Sequence, residues 1–530
     1  MEITGQHFIG NKVSGDGIET FSAVNPVNNK TLPGVFFNAT TQEIDTATTK
    51  SVAAYQILKT KNKEDIAAFL EQIAEEIMAL GDTLITRCNE ETALPEARLI
   101  GERGRTVGQL RLFAALVREG SWVDATIDTA EPNRAPVPKS DLRQMLRPIG
   151  PIAVFGASNF PLAFSVAGGD TASALAASCP VIVKGHPAHP GTTELVARAI
   201  LKAVKTCNMP EGTFSLVQGN TTKVGETLVK HLAIKAVAFT GSFKGGKALF
   251  DLANSRKEPI PVFAEMGSTN PVFILPKALK ERGDSIAAGL VSSINLGVGQ
   301  FCTNPGMVII PKDKGIASFC DQVADKISQS PSATMLTPGI ANAYKSTVDI
   351  LRNSVGAEIL SSGKNDDAPN NVASTVFKVS GTELLNNNQL EQEVFGPCSV
   401  LVEAETKEQV LEIARNLEGH LTATVHGTPE DFETFAELFQ ILEQKAGRLI
   451  INGFPTGVEV CHAMTHGGPY PSTTAPQTTS VGTKAIKRFV RPVCYQGFPD
   501  SLLPESLKDS NTHNIWRLVN GTFTKEHINR

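Results

Sequence analysis

Five short apolar runs between residues 151 and 267 constrain the fold more than any other feature of the chain. They are "PIAVFG", "PVIVKG", "FSLVQG", "KAVAFTG" and "PVFAEMG". Each ends in glycine or a polar residue, and each gap between them has room for one helix. Such alternation predicts an α/β fold with a parallel sheet and crossover helices, which binds ligands beyond the carboxyl ends of its strands. A second series, "GMVIIP", "AEILSSG", "CSVLVEA", "LTATVHG" and "RLIING", predicts a second α/β unit beginning near residue 267. Ahead of both, 20–36 reads as a hairpin. The segment "KEDIAAFLEQIAEEIMAL" spaces its apolar residues as an amphipathic helix does. Segments 142–151 and 485–496 read as a paired edge set apart from both units, the kind of projecting hairpin that completes a neighbouring subunit's sheet.

Composition excludes several partners. A net charge of −5 gives no basic surplus for nucleic acid or an anionic membrane. The opening "MEITGQHFIG" lacks a basic and an apolar region, so no secretory leader is expected. Eight scattered cysteines in 530 residues do not form a disulfide framework, and a reduced cytoplasmic setting is the expectation.

Several residues could carry chemistry. Cys302 lies in the polar, glycine-rich loop "GVGQFCTNPG", where backbone N–H groups can face a sulfur or an oxyanion. The loop alone does not separate a nucleophile from an inert cysteine. Glu265, at the end of "PVFAE", is placed as a general base for water or as a solvated strand-end carboxylate. Asn159, after the first strand, is an oxyanion donor or a turn residue. "FTGSFKGG" (239–246) runs from a strand into a helix whose N-terminus could hold a phosphate, and Lys184 could meet a ribose or phosphate. His186 with His189, and Cys461 with His462 and His466, resemble metal motifs but lack the spacing; they read as loop histidines, with no metal expected.

The order of these features resembles the NAD(P)-dependent aldehyde dehydrogenase superfamily over essentially the whole chain, including "EQEVFGP" (391–397). Segments such as "VKGHPAHPGT", "NGFPTGVEVCHAM" and "TTSVGTKAIKRFVRPVCYQ" resemble its α-ketoglutaric semialdehyde (2,5-dioxovalerate) dehydrogenase branch. A bacterial NADP-dependent fatty-aldehyde dehydrogenase shares several of them.

The resemblance implies an aldehyde-dehydrogenase-like fold. A Rossmann-type cofactor domain would comprise 1–141 and 152–266, and a catalytic domain 267–484. Oligomerisation strands would occupy 142–151 and 485–496, and a C-terminal extension 497–530. It implies a homodimer or homotetramer acting on a small aldehyde. Cys302 would form a thiohemiacetal and then a thioester, Asn159 would hold the oxyanion, and Glu265 would activate water.

For the cofactor it implies Lys184 at the adenine ribose and Gly241, Ser242 and Gly246 at the pyrophosphate. Glu393 would hold the nicotinamide ribose, with Phe395 against the ring. Pro187 stands where NAD-preferring relatives carry a glutamate, and Lys223 lies close to an arginine position of the NADP-dependent relative. NADP is therefore expected, with NAD left open. For the substrate, Arg105 would pair with a distal carboxylate or form only a helix salt bridge, and Phe160, Phe301 and Phe454 would line the tunnel. The expected reaction is oxidation of α-ketoglutaric semialdehyde to 2-oxoglutarate. Alternatives are a fatty aldehyde as substrate, acyl transfer to CoA or phosphate, a non-redox cysteine hydrolase or acyltransferase, and an inactive scaffold.

Overall fold

The computed structural model describes residues 2–529. Its first sheet has seven strands: β1 (His7–Ile9), β2 (Lys12–Ser14), β3 (Ile152–Phe155), β4 (Val181–Lys184), β5 (Phe214–Val217), β6 (Ala236–Thr240) and β7 (Val262–Glu265). Their order is β7-β6-β3-β4-β5-β1-β2. β3 to β7 are the five runs anticipated from sequence, and all pair in parallel. β1 and β2 form an antiparallel hairpin on the β5 edge that the sequence reading did not anticipate. The chain steps from β3 outward to β5 and then returns to β6 on the other side of β3. This reversal opens a crevice at the carboxyl ends of β3 and β6, the usual place for a ligand in an open α/β sheet.

The second sheet contains β8 (Val272–Ile274), β9 (Met307–Pro311), β10 (Glu358–Ser362), β11 (Thr375–Ser380), β12 (Cys398–Ala404), β13 (His420–His426) and β14 (Ala446–Ile451). Its order is β10-β11-β12-β9-β8-β13-β14. The sequence reading missed β8 and β11, whose apolar cores are only three residues or are interrupted by lysine. β10 is antiparallel to β11, so this sheet is mixed at one edge. Separate apolar clusters cover the faces of each sheet.

The helical region comprises Thr41–Leu58, Lys63–Ala79, Gly81–Thr92 and Glu96–Glu119. Asn62 caps the second of these, its side chain accepting from the Asp65 N–H. Between 20 and 37, a short Val24–Asn25/Lys30–Thr31 hairpin sits inside a Thr20–Phe21/Phe36–Phe37 pairing.

Two expectations about the projecting arm need correction. Thr483–Phe489 is a 3-10 helix, so the second arm strand begins at Val490 and pairs antiparallel with Leu142–Pro148. The arm is also no isolated hairpin. Thr126–Asp128 and two tail strands, Arg517–Val519 and Thr522–Thr524, extend it to five strands. Fully buried Arg143 fastens the tail, pairing with Asp141 at 2.8 Å and Asp509 at 2.6 Å. No helix among the described residues is long and apolar enough to cross a membrane.

Candidate active site

Asn159, Glu265 and Cys302 come from three distant segments and line one cavity of about 570 Å³. Asn159 lies in the loop after β3, and Glu265 is the last residue of β7. Cys302 approaches from the second sheet, in the turn before β9. The cavity therefore sits at the reversal point of the first sheet and is closed by the second.

The Cys302 loop has an unusual backbone. Gly297, Val298 and Gly299 have φ of 56°, 58° and 64° in succession. A Cβ on Gly299 would lie 2.2 Å from the Gly396 carbonyl carbon, so only glycine fits there. Val298 is β-branched and left-handed, a strained conformation costing roughly 1–3 kcal/mol. Buried Asn270 holds the turn. Its amide donates to the carbonyls of Cys302 at 2.8 Å and Asn304 at 2.9 Å. Its oxygen accepts from Ser268 and Thr422.

The two loops are joined directly. The Asn159 amide donates to the Gln300 carbonyl at 3.1 Å, and the Phe160 and Phe301 rings meet edge-to-face at 5.3 Å. Arg98, from the helix Glu96–Glu119, lies 5.0 Å from each of these ring centroids. It also donates to the Asn159 carbonyl at 2.7 Å.

Sequence spacing had set His466 aside as a loop histidine; the structure corrects this. Its Nε2 is 2.9 Å from Glu265 Oε1 and 3.4 Å from Cys302 Sγ. Ser480 donates to the other Glu265 oxygen at 2.7 Å. The other histidines of the motifs do not join this cluster: His186, which also lines the cavity, stacks on His189, and His462 faces Thr483.

The electrostatics follow from this packing. Burial and the Glu265 carboxylate push the Cys302 thiol well above its usual range. Burial alone would raise Glu265, but His466, Ser480 and Cys302 outweigh it and hold the carboxyl below its ordinary value. The site thus rests as a thiol beside a carboxylate.

Gly241, Ser242, Glu393 and Phe395 line the same cavity. Ser242 caps the helix Phe243–Asn254, its side chain accepting from the Gly245 N–H. Gly246 faces inward, where a Cβ would meet Met266 at 2.6 Å, so it serves close packing of that helix. Glu393 accepts from the Ser268 N–H, and burial raises its carboxyl to about 7. Lys184 ends β4, and burial lowers its ammonium to about 8. Pro187 follows it in the turn before the helix Pro190–Thr206. Lys223 is exposed on the first turn of the helix Thr222–Lys230.

Arg105 lies 5.1 Å from the Phe164 ring centroid and reaches the Val458 carbonyl at 3.5 Å; its Nη1 is buried without a partner. Phe454 packs against Gly289, the His426 ring and the apolar cluster of the Pro276–Asn295 helix.

Comparison with known proteins agrees with this geometry. The family model described as the aldehyde dehydrogenase family matches residues 12–491. The chain is 49% identical to an α-ketoglutaric semialdehyde dehydrogenase 2 of Azospirillum brasilense, over 98% of this chain and 99% of the relative. It is 44% identical to an α-ketoglutaric semialdehyde dehydrogenase of Acinetobacter baylyi, over 99% of each. Among solved structures, betaine aldehyde dehydrogenase from Staphylococcus aureus, in complex with NAD+, superposes with a TM-score of 0.79 at 18% identity. That match covers 94% of this chain and 96% of the other. The chain belongs to the aldehyde dehydrogenase family.

Proposed function

We propose that the protein oxidises α-ketoglutaric semialdehyde to 2-oxoglutarate with NADP as electron acceptor. The observation that carries the chemistry is the meeting of Cys302, Asn159 and Glu265 in one cavity. Near-full-length likeness to two α-ketoglutaric semialdehyde dehydrogenases supports the substrate.

In this reading, Cys302 Sγ bonds to the aldehyde carbon and its proton passes toward Glu265 and His466. The Asn159 amide and the Cys302 N–H face the oxyanion, where preorganised donors stabilise developing charge. A nicotinamide held in the cavity would supply the hydride acceptor, and loss of hydride from the carbon bonded to Cys302 would leave a thioester. Glu265 then takes a proton from water, which cleaves the thioester and frees the thiol.

The residues present suit a dinucleotide. Gly156, Gly241 and Gly267 line the cavity, and Thr240 Oγ1 is buried beside it without a partner. The Ser242-capped helix points its N-terminus at the same space. Glu393 would hold the nicotinamide ribose, and Lys184 with Lys223 the adenosine end. Assembly into a dimer or tetramer belongs to the same reading, through the arm's edge strand Val490–Gln496, which pairs on one side only.

Arg105 is assigned to the substrate carboxylate, its unpartnered Nη1 offering a charge-assisted bond. Arg105→Met is expected to lower kcat/KM for α-ketoglutaric semialdehyde about 10- to 100-fold and to leave glutaraldehyde unchanged. Steady-state kinetics of the wild type with acidic semialdehydes and long-chain aldehydes, using each cofactor, tests the assignment. Faster turnover of fatty aldehydes would overturn it.

Lys184 gives a pH test of the cofactor. With its free ammonium at about 8, its charge is present below that pH and lost above it. A 2′-phosphate favours the charged form, so NADP affinity should fall as pH rises through 8, whereas NAD affinity should stay flatter. Binding isotherms between pH 7 and 9.5 read this directly.

Arg98 is a positioning residue for the Asn159 and Cys302 loops. Arg98→Met should lower kcat about tenfold or more by loosening the oxyanion donors. Alkylation of Cys302 by iodoacetamide, which uses no oxyanion site, should keep its rate. Equal losses in both would instead indicate a damaged loop.

A further inference from the structure

The convergence of Glu265, Cys302 and His466 has a consequence beyond aldehyde chemistry. Among the described residues this is a group of metal-type donors whose Oε1, Sγ and Nε2 atoms all lie within 4.8 Å of one another. Sequence spacing had associated His466 with Cys461 and His462. The fold instead carries it to Cys302, 164 residues away in the chain.

We propose that this triad is a Zn2+ site, and that zinc bound there reversibly blocks the enzyme. The donor set is one zinc takes: a thiolate, an imidazole nitrogen and a carboxylate oxygen. With Zn–S near 2.3 Å and Zn–N and Zn–O near 2.0–2.2 Å, tetrahedral ligands stand about 3.3–3.6 Å apart. The sulfur–nitrogen separation is 3.4 Å. The nitrogen–oxygen separation is 2.9 Å, so it opens by a few tenths of an ångström to admit the metal. Ser480 anchors the second Glu265 oxygen, leaving Oε1 to turn toward the metal. Cys302 and Glu265 line the cavity, so the fourth position opens to it and takes water. A Zn–S bond forms as the S–H bond breaks, and the thiol proton leaves to solvent. Thiolate and carboxylate together cancel the ion's charge, so a neutral unit is buried. Once the sulfur is bound it cannot attack a carbonyl. The site does not depend on which aldehyde the enzyme prefers.

The test is calorimetric titration of the reduced, full-length apo chain with zinc chloride alone. One ion should bind with a dissociation constant at or below about micromolar. Cys302→Ser and His466→Gln should each weaken it about 100-fold, provided their metal-free unfolding midpoints match the wild type. A Cys461→Ser/His462→Gln double variant should bind as the wild type does. Cobalt(II) offers a second readout: a sulfur-to-cobalt charge-transfer band in the near ultraviolet, present in wild type and absent in Cys302→Ser. Aldehyde oxidation should stop as the site fills and return on adding EDTA. Unchanged affinity in folded Cys302→Ser and His466→Gln, or its loss in the Cys461/His462 variant, would overturn the proposal.

Discussion

Cys302→Ser is expected to lower aldehyde oxidation by about 10³-fold or more, equivalent to about 4 kcal/mol of transition-state stabilisation, while dinucleotide binding persists. The sulfur is the atom on which the loop's strained backbone, the Asn270 clamp and the Glu265–His466 pair all converge. An alcohol at the same place differs in two ways. It is far harder to deprotonate, and an ester is less readily cleaved than a thioester. Burial already holds the thiol well above its usual range, and an alcohol in the same place starts higher still. In the proposed reading, nucleotide binding draws on the first sheet and on Glu393, neither of which the substitution alters. Fluorescence titration with NADP therefore separates loss of chemistry from loss of fold.

Glu265→Gln should leave a burst. The amide keeps the volume and the Ser480 contact but cannot take a proton from water. The first turnover should yield one equivalent of reduced nicotinamide per site, and steady turnover should then fall about 10²- to 10⁴-fold. If His466 or solvent hydroxide carried deacylation instead, turnover would continue with little change. The burst amplitude in stopped-flow absorbance distinguishes these outcomes, since slow acylation gives no burst.

What could be read from the chain beforehand has a physical pattern. The five runs that became β3 to β7 are largely buried on both faces and nearly continuously apolar, so their signal is local. Cys302, Glu265 and Asn159 stood out through the order of short motifs, each placed by one strand end or loop. His466 did not, because its meaning lies in partners far away in the chain rather than in Cys461 and His462 beside it. Arg98, Asn270 and Gln300 were missed for the same reason; their contacts bridge segments 32 to 141 residues apart, and each looks ordinary in its own stretch. The arm's third, fourth and fifth strands are two or three residues of regular pairing fixed by Arg143, a long-range ionic contact with no periodic signature.

The most direct measurement is on the covalent step. Glu265→Gln enzyme, mixed with NADP and α-ketoglutaric semialdehyde, is quenched in acid and digested, and its peptides are weighed. The account predicts the acyl group on the peptide containing Cys302, in equal amount to the reduced nicotinamide formed. Reduced nicotinamide without an adduct, or an adduct on any other cysteine, would contradict it.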